Sequence, residues 1–517
     1  MGSTFRAALS WLHTWAGIVF GGLLFAIFWT GTLSVFDREI DAWMAPALRL
    51  KPVTGSPSLD RLRDSYAMAS RAGSPAWSVT LPSERQPFVI VAWRSLHGPV
   101  ELRLDPTDGA LLADARTFGG SGFIYPFHYT LHLAAGRTGQ WIVGAAAMAM
   151  LVLCVSGVVI HRRIFADFFV LRVAARPRRW ILDLHTVAGV TLLPFVVAIT
   201  LSGLTVAWPI YFPASLRLTH DGGRAAFNRE VFGLFDRPRL GRPGDLASLD
   251  AMAATARDLW GGRPLRSVSV RHPGDAGAYV QIVRREEASV SGTTERAYFD
   301  GASGTFLHRS GASGSALRVD RFMAGLHEIQ FRHWTLRWLY FGLGLGSCVL
   351  IVTGHLFWLE SRRKRHRQLG IGGIRLVEAL TIGATAGLVG ATFAFFVANR
   401  LLPSDASFAD HGRGALEIGA FFVVWLASFA HAMGRPSRAW SEQCAVVATL
   451  ALAAVVLDWK TSGDHLVRSL SHRHLWPIAG MDILLLLAAA AAILVAARTG
   501  TPAARSGSAP ASSGGRR

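Results

Sequence analysis

Charge is scarce in this sequence: 17% of its 517 residues are Asp, Glu, Lys or Arg, against 51% hydrophobic. A chain so poor in charge has too little polar surface to be an ordinary soluble protein of this length. Cysteine is scarcer still. The three present, Cys154, Cys348 and Cys444, each fall inside an apolar run and share no metal-type spacing, which argues against a disulfide framework and an iron–sulfur site. No Gly-x-Gly-x-x-Gly follows a predicted strand, so a nicotinamide or flavin site of the usual kind is missing and any electrons must be borrowed. Acidic residues are outnumbered 34 to 53 by Lys and Arg, giving a net charge of +19. That excess does not point to nucleic acid, because the arginines cluster directly after apolar runs, where the positive-inside rule puts them.

What the sequence has is long apolar runs. They predict membrane helices at roughly 12–36, 138–160, 184–208, 337–359, 374–399, 415–434, 442–458 and 476–497, the seventh being the shortest. The first run continues too far to be the h-region of a cleaved signal peptide. With eight spans counted, the arginine stretches at Arg162, Arg163, Arg172, Arg176, Arg178 and Arg179, at Arg362 to Arg367, and at Arg435 and Arg438 share one side. This expectation puts both termini in the cytoplasm of a bacterial inner membrane. Residues 37–137 and 209–336 then face the periplasm, each with β-type alternation and an Asp-Gly turn, at Asp108-Gly109 and Asp300-Gly301. Two small α+β domains are expected there. The remaining segments are 1–36, 138–208, 337–365 with its basic loop, a four-helix extension over 366–498, and a disordered tail over 499–517.

The chain repeats itself. LHTWAG at Leu12 to Gly17 recurs as LHTVAG at Leu184 to Gly189, Thr30-Gly31 recurs as Ser202-Gly203, LCVSGVVIHRR as LIVTGHLFWLESRR, and Leu131-His132 as Leu326-His327. Each unit reads helix, soluble segment, helix, so the repeat is parallel, with a pseudo-twofold axis along the membrane normal. The fold class expected is a polytopic α-helical membrane protein with a duplicated four-helix core, two periplasmic α+β insertions and four extra C-terminal helices.

Four histidines occupy equivalent places in this duplication: His13 and His185 at one membrane edge, His132 and His327 at the other. A coordinating side chain in or beside a membrane helix is costly without a partner, and haem iron is one such partner. Residues on diagonal helices face each other across a bundle axis, so His13 is expected to meet His185 and His132 to meet His327. Each pair would clamp one haem b. The 18 residues from His13 to Gly31 span about 27 Å of helix, too far for a single haem to touch both layers. His128, one turn before His132, and His355, beside Gly354, are secondary candidates. His161 reads as interfacial, and Gly136 and Gly139 threaten to break the helix at His132. Gly17, Gly21, Gly22, Gly31, Gly189 and Gly203 would admit either a flat macrocycle or a close helix neighbour.

The helix openings LHTWAG and DLHTVAG, the TGTLSVF and SGLTVAW exits, the LH pairs and the two soluble insertions together resemble the PepSY-associated transmembrane helix family over roughly residues 5–365. The resemblance implies an inner-membrane protein with paired haems, iron-regulated in many members and in some linked to reduction of ferric siderophores in the periplasm. Carried over by position, His13, His132, His185 and His327 match its recurrent histidines. The activity expected is reduction of a ferric chelate, with a quinol or a cytoplasmic reductase as donor. A periplasmic binding or peptidase-regulating module without redox activity, or a transporter of a metal chelate, are the alternatives. Arg94, Arg103, Trp93 and Trp260 are candidates for holding an anionic chelate. In the extension, Glu378, Glu417 and Asp482 are expected to anchor helix ends, while His431, His465, His472 and His474 read as interfacial or solvated.

Overall fold

A computed structural model of the chain describes residues 3–500 except 54, 72, 97, 162–169, 173–175, 220, 222, 287–288, 292–293, 312–314, 330 and 370–372. Arg162, Arg163 and the tail beyond residue 500 lie outside the described residues. Thirteen helices are used below: α1 Ser3–Ser34, α2 Asp37–Met44, α3 Arg63–Arg71, α4 Tyr125–Thr130, α5 Thr138–Ile160, α6 Pro177–Val206, α7 Leu249–Leu259, α8 Ser315–Glu328, α9 Trp334–Leu369, α10 Gly373–Leu401, α11 Arg413–Gly434, α12 Ala439–Ser462 and α13 Trp476–Gly500.

Eight of these, α1, α5, α6 and α9 to α13, are long and apolar enough to cross a bilayer. The protein is a multi-pass membrane protein. The run at 442–458 is the core of a full 24-residue helix, α12. The third span begins earlier than its apolar stretch, at Pro177, whose fixed backbone suits the first position of a helix. The helices α1, α5, α6 and α9 form a ring in which α1 packs on α5 and α9, and α6 packs on the same two. The helices α1 and α6 are therefore diagonal partners.

The two soluble segments do not fold apart. Strands β1 Ala76–Thr80, β2 Val89–Ser95 and β3 Gly98–Leu104 from the first join β4 Leu265–Arg271, β5 Tyr279–Arg284, β6 Arg296–Asp300 and β7 Phe306–Ser310 from the second. They make one seven-stranded antiparallel sheet in the order β3-β2-β1-β4-β5-β6-β7. The joint is β1 on β4, with Trp77 opposite Val270 and Val79 opposite Val268. Two separate small sheets would each leave an open edge, and pairing those edges satisfies both backbones. Val79, Val91, Val268, Val280, Ile282 and Phe299 form one core beneath α3 and α7. The two halves also cap one another: the Asp60 carboxylate accepts from Leu249 N (2.9 Å) at the start of α7, and Asp250 accepts from Leu59 N (2.7 Å).

A buried ion cluster fixes this sheet to the membrane helices. Arg85 reaches Glu39 at 2.7 Å and Asp37 at 3.1 Å on α2, and Arg337 of α9 lies 3.6 Å from Glu39 and donates to the Val35 carbonyl. Removing one partner strands a buried charge, which costs far more than the intact pair contributes. Arg85→Ala is therefore expected to destabilise the detergent-solubilised protein by about 3–5 kcal/mol, read as a fall in the thermal unfolding midpoint. Arg85→Ala paired with Glu39→Gln is expected to recover part of that loss.

Candidate functional site

Four helices carry the same five-residue pattern, Ile or Leu, two variable residues, Ser or Thr, then Gly. It reads IFWTG at Ile27 to Gly31 on α1, LCVSG at Leu153 to Gly157 on α5, ITLSG at Ile199 to Gly203 on α6 and LIVTG at Leu350 to Gly354 on α9. Each receives one histidine from another element. His128 Nδ1 lies 2.8 Å from the Ile27 carbonyl, His13 Nδ1 3.1 Å from that of Leu153, His327 Nδ1 2.9 Å from that of Ile199 and His185 Nδ1 3.0 Å from that of Leu350. The Ser156, Ser202 and Thr353 hydroxyls add contacts of 3.0, 3.3 and 3.3 Å to the last three imidazoles in chain order of the hydroxyls.

The glycine closes each cradle. A Cβ on Gly31 would stand 2.7 Å from the His128 ring, on Gly203 2.6 Å from His327, on Gly354 3.1 Å from His185 and on Gly157 3.3 Å from His13. Glycine is thus required at Gly31 and Gly203 by close approach of a ring. A carbonyl only accepts, so each Nδ1 carries a proton, and in the neutral ring Nε2 then keeps its lone pair. Burial, with His128 beside it, holds His327 down to about 4, and burial holds His128 below the ordinary histidine range, so this pair is neutral at pH 7.

The four rings gather in two cavities stacked inside the ring of helices. His128 and His327 line one of about 320 Å³ at the sheet end, and His13 and His185 line one of about 450 Å³ at the end bearing the arginine loops. Both volumes lie in the range of about 300–1,000 Å³ typical of cofactor pockets. Leu24 and Met150 border both cavities and form the floor between them. The diagonal placement of α1 and α6 brings His13 and His185 to a common cavity, as expected from the repeat.

The sheet-end pair differs from the expectation: His132 is not in the cavity, and His128 is. Helix α4 ends at Thr130, Leu131 turns left-handed with φ 54°, and His132 follows with φ 54°. This break turns His132 outward, exposed, with its ring against Phe123 and Phe422 at centroid distances of 5.4 and 5.8 Å. His128 sits in the last turn of α4 as His327 sits in the last turn of α8. The repeated Leu-His pairs at 131–132 and 326–327 concealed that equivalence. The signal that could have revealed it is the five-residue pattern, because four cradles call for four rings on elements adjacent to them.

His355 is 5% exposed, lines the larger cavity with His13 and His185, and lies against Gly21; its Nδ1 has no partner. His161 borders the same cavity. Gly17, Gly22 and Gly189 face Leu153, Ala384 and Leu350, the ordinary use of small residues between helices. Trp93 and Trp260 are buried in the core of the sheet, and Arg103 pairs with Glu101 at 3.1 Å, so these three belong to the fold of that domain. Arg94 is exposed. Glu378 pairs with Arg363 at 3.0 Å and His431 with Glu442 at 2.8 Å. Glu417 and Asp482, expected at helix ends facing the interface, are fully buried against Asn399 and Trp43.

Two groups fit this donor set badly or well. Among the described residues no cluster of three or more His, Cys, Asp or Glu gathers to cage a bare ion. Paired neutral imidazoles instead suit an iron that arrives with its own equatorial ligands. Metal–imidazole bonds of about 2 Å on opposite sides of one ion put the ring centres about 6 Å apart. His128 and His327 are 5.9 Å apart between centroids, with ring planes 31° apart.

An uncharacterized protein of Pseudomonas aeruginosa is 29% identical over 375 residues, covering 69% of this chain and 90% of that one. A family profile described as PepSY-associated TM region matches residues 10–361, which takes in all four cradles and all six cavity histidines named above and stops short of α10 to α13. The chain belongs to the PepSY-associated TM family.

Proposed function

We propose that the protein is a di-haem electron carrier of a bacterial inner membrane that reduces a ferric siderophore or related iron chelate in the periplasm. The observation that carries this reading is the fourfold cradle, which docks four imidazoles by Nδ1 and leaves each Nε2 to face one of two stacked cavities. Haem b, when bound, supplies one-electron exchange at its iron. His13 and His185 would hold one group, and His128 and His327 the other.

The chain's own work is to fix tautomer, ring plane and spacing. Each cradle carbonyl holds Nδ1–H, which sets which nitrogen faces the cavity and raises its basicity as a ligand. Leu24 and Met150 keep the floor between the cavities apolar and thin. The recurrence of cradle and histidine in both halves supports a duplicated four-helix core, with the soluble segments as its paired insertions. Arginine-rich short loops directly flanking the membrane helices at one end favour a cytoplasmic face for the larger cavity and a periplasmic face for the sheet. A quinol or a soluble reductase would donate at the cytoplasmic face. At the periplasmic face one electron converts the substrate's Fe(III) to Fe(II), which hard-oxygen chelators bind far more weakly.

The test is re-oxidation. Purified protein reduced with dithionite and freed of excess reductant is mixed with a ferric hydroxamate under anaerobic conditions. Loss of the reduced b-type spectrum, with one Fe(II) trapped by ferrozine per electron lost, is the expected result. His128→Ala is expected to slow that reaction at least about tenfold by removing a ligand at the exit site. A colourless protein, or a reduced spectrum untouched by the chelate, contradicts the proposal.

A further inference from the structure

The helices α10 to α13 lie beyond the family match and contribute no cavity histidine. We infer that they are the positioning frame of His128, setting the angle and hold of the sheet-end imidazole. The inference rests on the reading of His128 and His327 as a ligand pair, and three independent contacts carry it.

The first contact holds α2. Trp43 near its end donates from Nε1 to Asp482 of α13 at 3.0 Å, and its carbonyl accepts from Arg49 at 2.7 Å and from Arg400 of α10. Arg49 and Arg400 share Asp458 of α12 at 2.7 and 3.2 Å. Cations at the end of a helix also complement its exposed carbonyls. Asp41 of the same helix accepts from Ser121 N at 3.0 Å, and a Cβ on Gly120 would stand 2.5 Å from the Asp37 carbonyl. The π-turn Gly120–Ile124 is therefore pressed onto α2, and it runs straight into α4.

The second contact holds the chain entering that turn. Glu417 of α11 accepts from Thr117 Oγ1 at 2.5 Å and from Asn399 Nδ2 at 2.9 Å, and Arg413 donates to the Ala115 carbonyl at 2.9 Å. The third holds α4 itself. Phe127, next to His128, packs on Phe421 at 5.6 Å and Trp425 at 5.9 Å, and Phe123 packs on Phe421 at 5.1 Å and Phe395 at 5.0 Å. A helix of six residues cannot hold a side chain in place alone. What fixes His128 is this surround, whereas His327 stands at the end of a 14-residue helix packed on α6.

The test uses the full chain with three variants. Phe421→Ala opens a void under α4, Glu417→Gln removes the charge that holds Thr117, and Ile382→Ala makes an equally buried void at the far end of the same helices, away from α4. Low-temperature electron paramagnetic resonance of the oxidised protein reads the two ligand pairs separately. Hydrogen exchange of peptides covering residues 120–130 reads the hold on α4 without any cofactor. Phe421→Ala and Glu417→Gln are each expected to shift one of the two low-spin signals and leave the other. Phe421→Ala is further expected to speed exchange in 120–130 by about tenfold or more. Ile382→Ala is expected to do neither. Unchanged signals and exchange in the first two variants overturn the inference, as do equal effects from Ile382→Ala. A wild-type protein without haem instead refutes the ligand reading, and the exchange comparison still decides whether α10 to α13 hold α4.

Discussion

Replacing His185 by alanine is expected to remove one of two haems, halving the Soret absorbance per chain and leaving the electron paramagnetic resonance signal of the sheet-end pair in place. His13→Ala is expected to do the same, because the two rings face a single cavity from diagonal helices. His128→Ala and His327→Ala are expected to remove the other haem. His132→Ala, five residues after Phe127, is expected to remove none, since its ring is exposed and turned toward Phe422. The magnitude follows from the donor set: each site offers two docked imidazoles, and loss of one would leave a bound haem only a single protein ligand. His355 adds a refinement. It shares the cavity with His13 and His185, so a His185→Ala protein that keeps a weakened haem would locate His355 as the substitute.

The cradle glycines give the second large effect, and one that a reading of the histidines alone would not anticipate. Gly31→Val or Gly203→Val would place its β-carbon under 3 Å from the His128 or His327 ring, with two more methyl groups beyond it. The ring cannot yield without breaking its bond to the Ile27 or Ile199 carbonyl. Each substitution is therefore expected to eliminate the sheet-end haem as completely as loss of the histidine itself, with folding retained as judged by gel filtration. Gly342→Val on α9 meets nothing within 4 Å and is expected to keep both haems. An intermediate case is Gly157→Ala, where a Cβ would stand 3.3 Å from His13 and the ring needs to move only a few tenths of an ångström. A lowered affinity without loss of the site is expected there.

Much of this arrangement was legible in the sequence, for identifiable reasons. Membrane helices announce themselves by length and apolarity, since every backbone polar group in lipid must be satisfied within the helix. The placing of His13 and His185 in one cavity could be read from the LHTWAG and LHTVAG repeat, because the two stretches sit on helices that are diagonal partners. His132 shows where the same logic fails. The Leu-His repeat is real as sequence, but α4 ends at Thr130 in a left-handed turn at Leu131 and His132, whereas α8 runs through His327 to Glu328. Gly136 marked the break, at φ 58°, without saying which histidine lay before it.

The single sheet was hidden for a different reason. Strand periodicity reports which face of a strand is buried, not which strand lies beside it, so Trp77 and Val79 signal a core without naming Val270 and Val268 as neighbours. The burial of Glu417 and Asp482 was equally invisible. A carboxylate near the end of an apolar run reads as interfacial until a partner such as Asn399, Arg413 or Trp43 is brought to it from elsewhere in the chain.

Four helices, each offering a carbonyl and a glycine, dock four imidazoles by Nδ1 around two cavities. The measurement that tests this most directly is the haem content of the purified wild-type chain by pyridine haemochrome, with the protein quantified by amino-acid analysis. Two haems b per chain, both low-spin, are predicted. A colourless chain, or a single haem that survives loss of either His128 or His327 and of either His13 or His185, would contradict it.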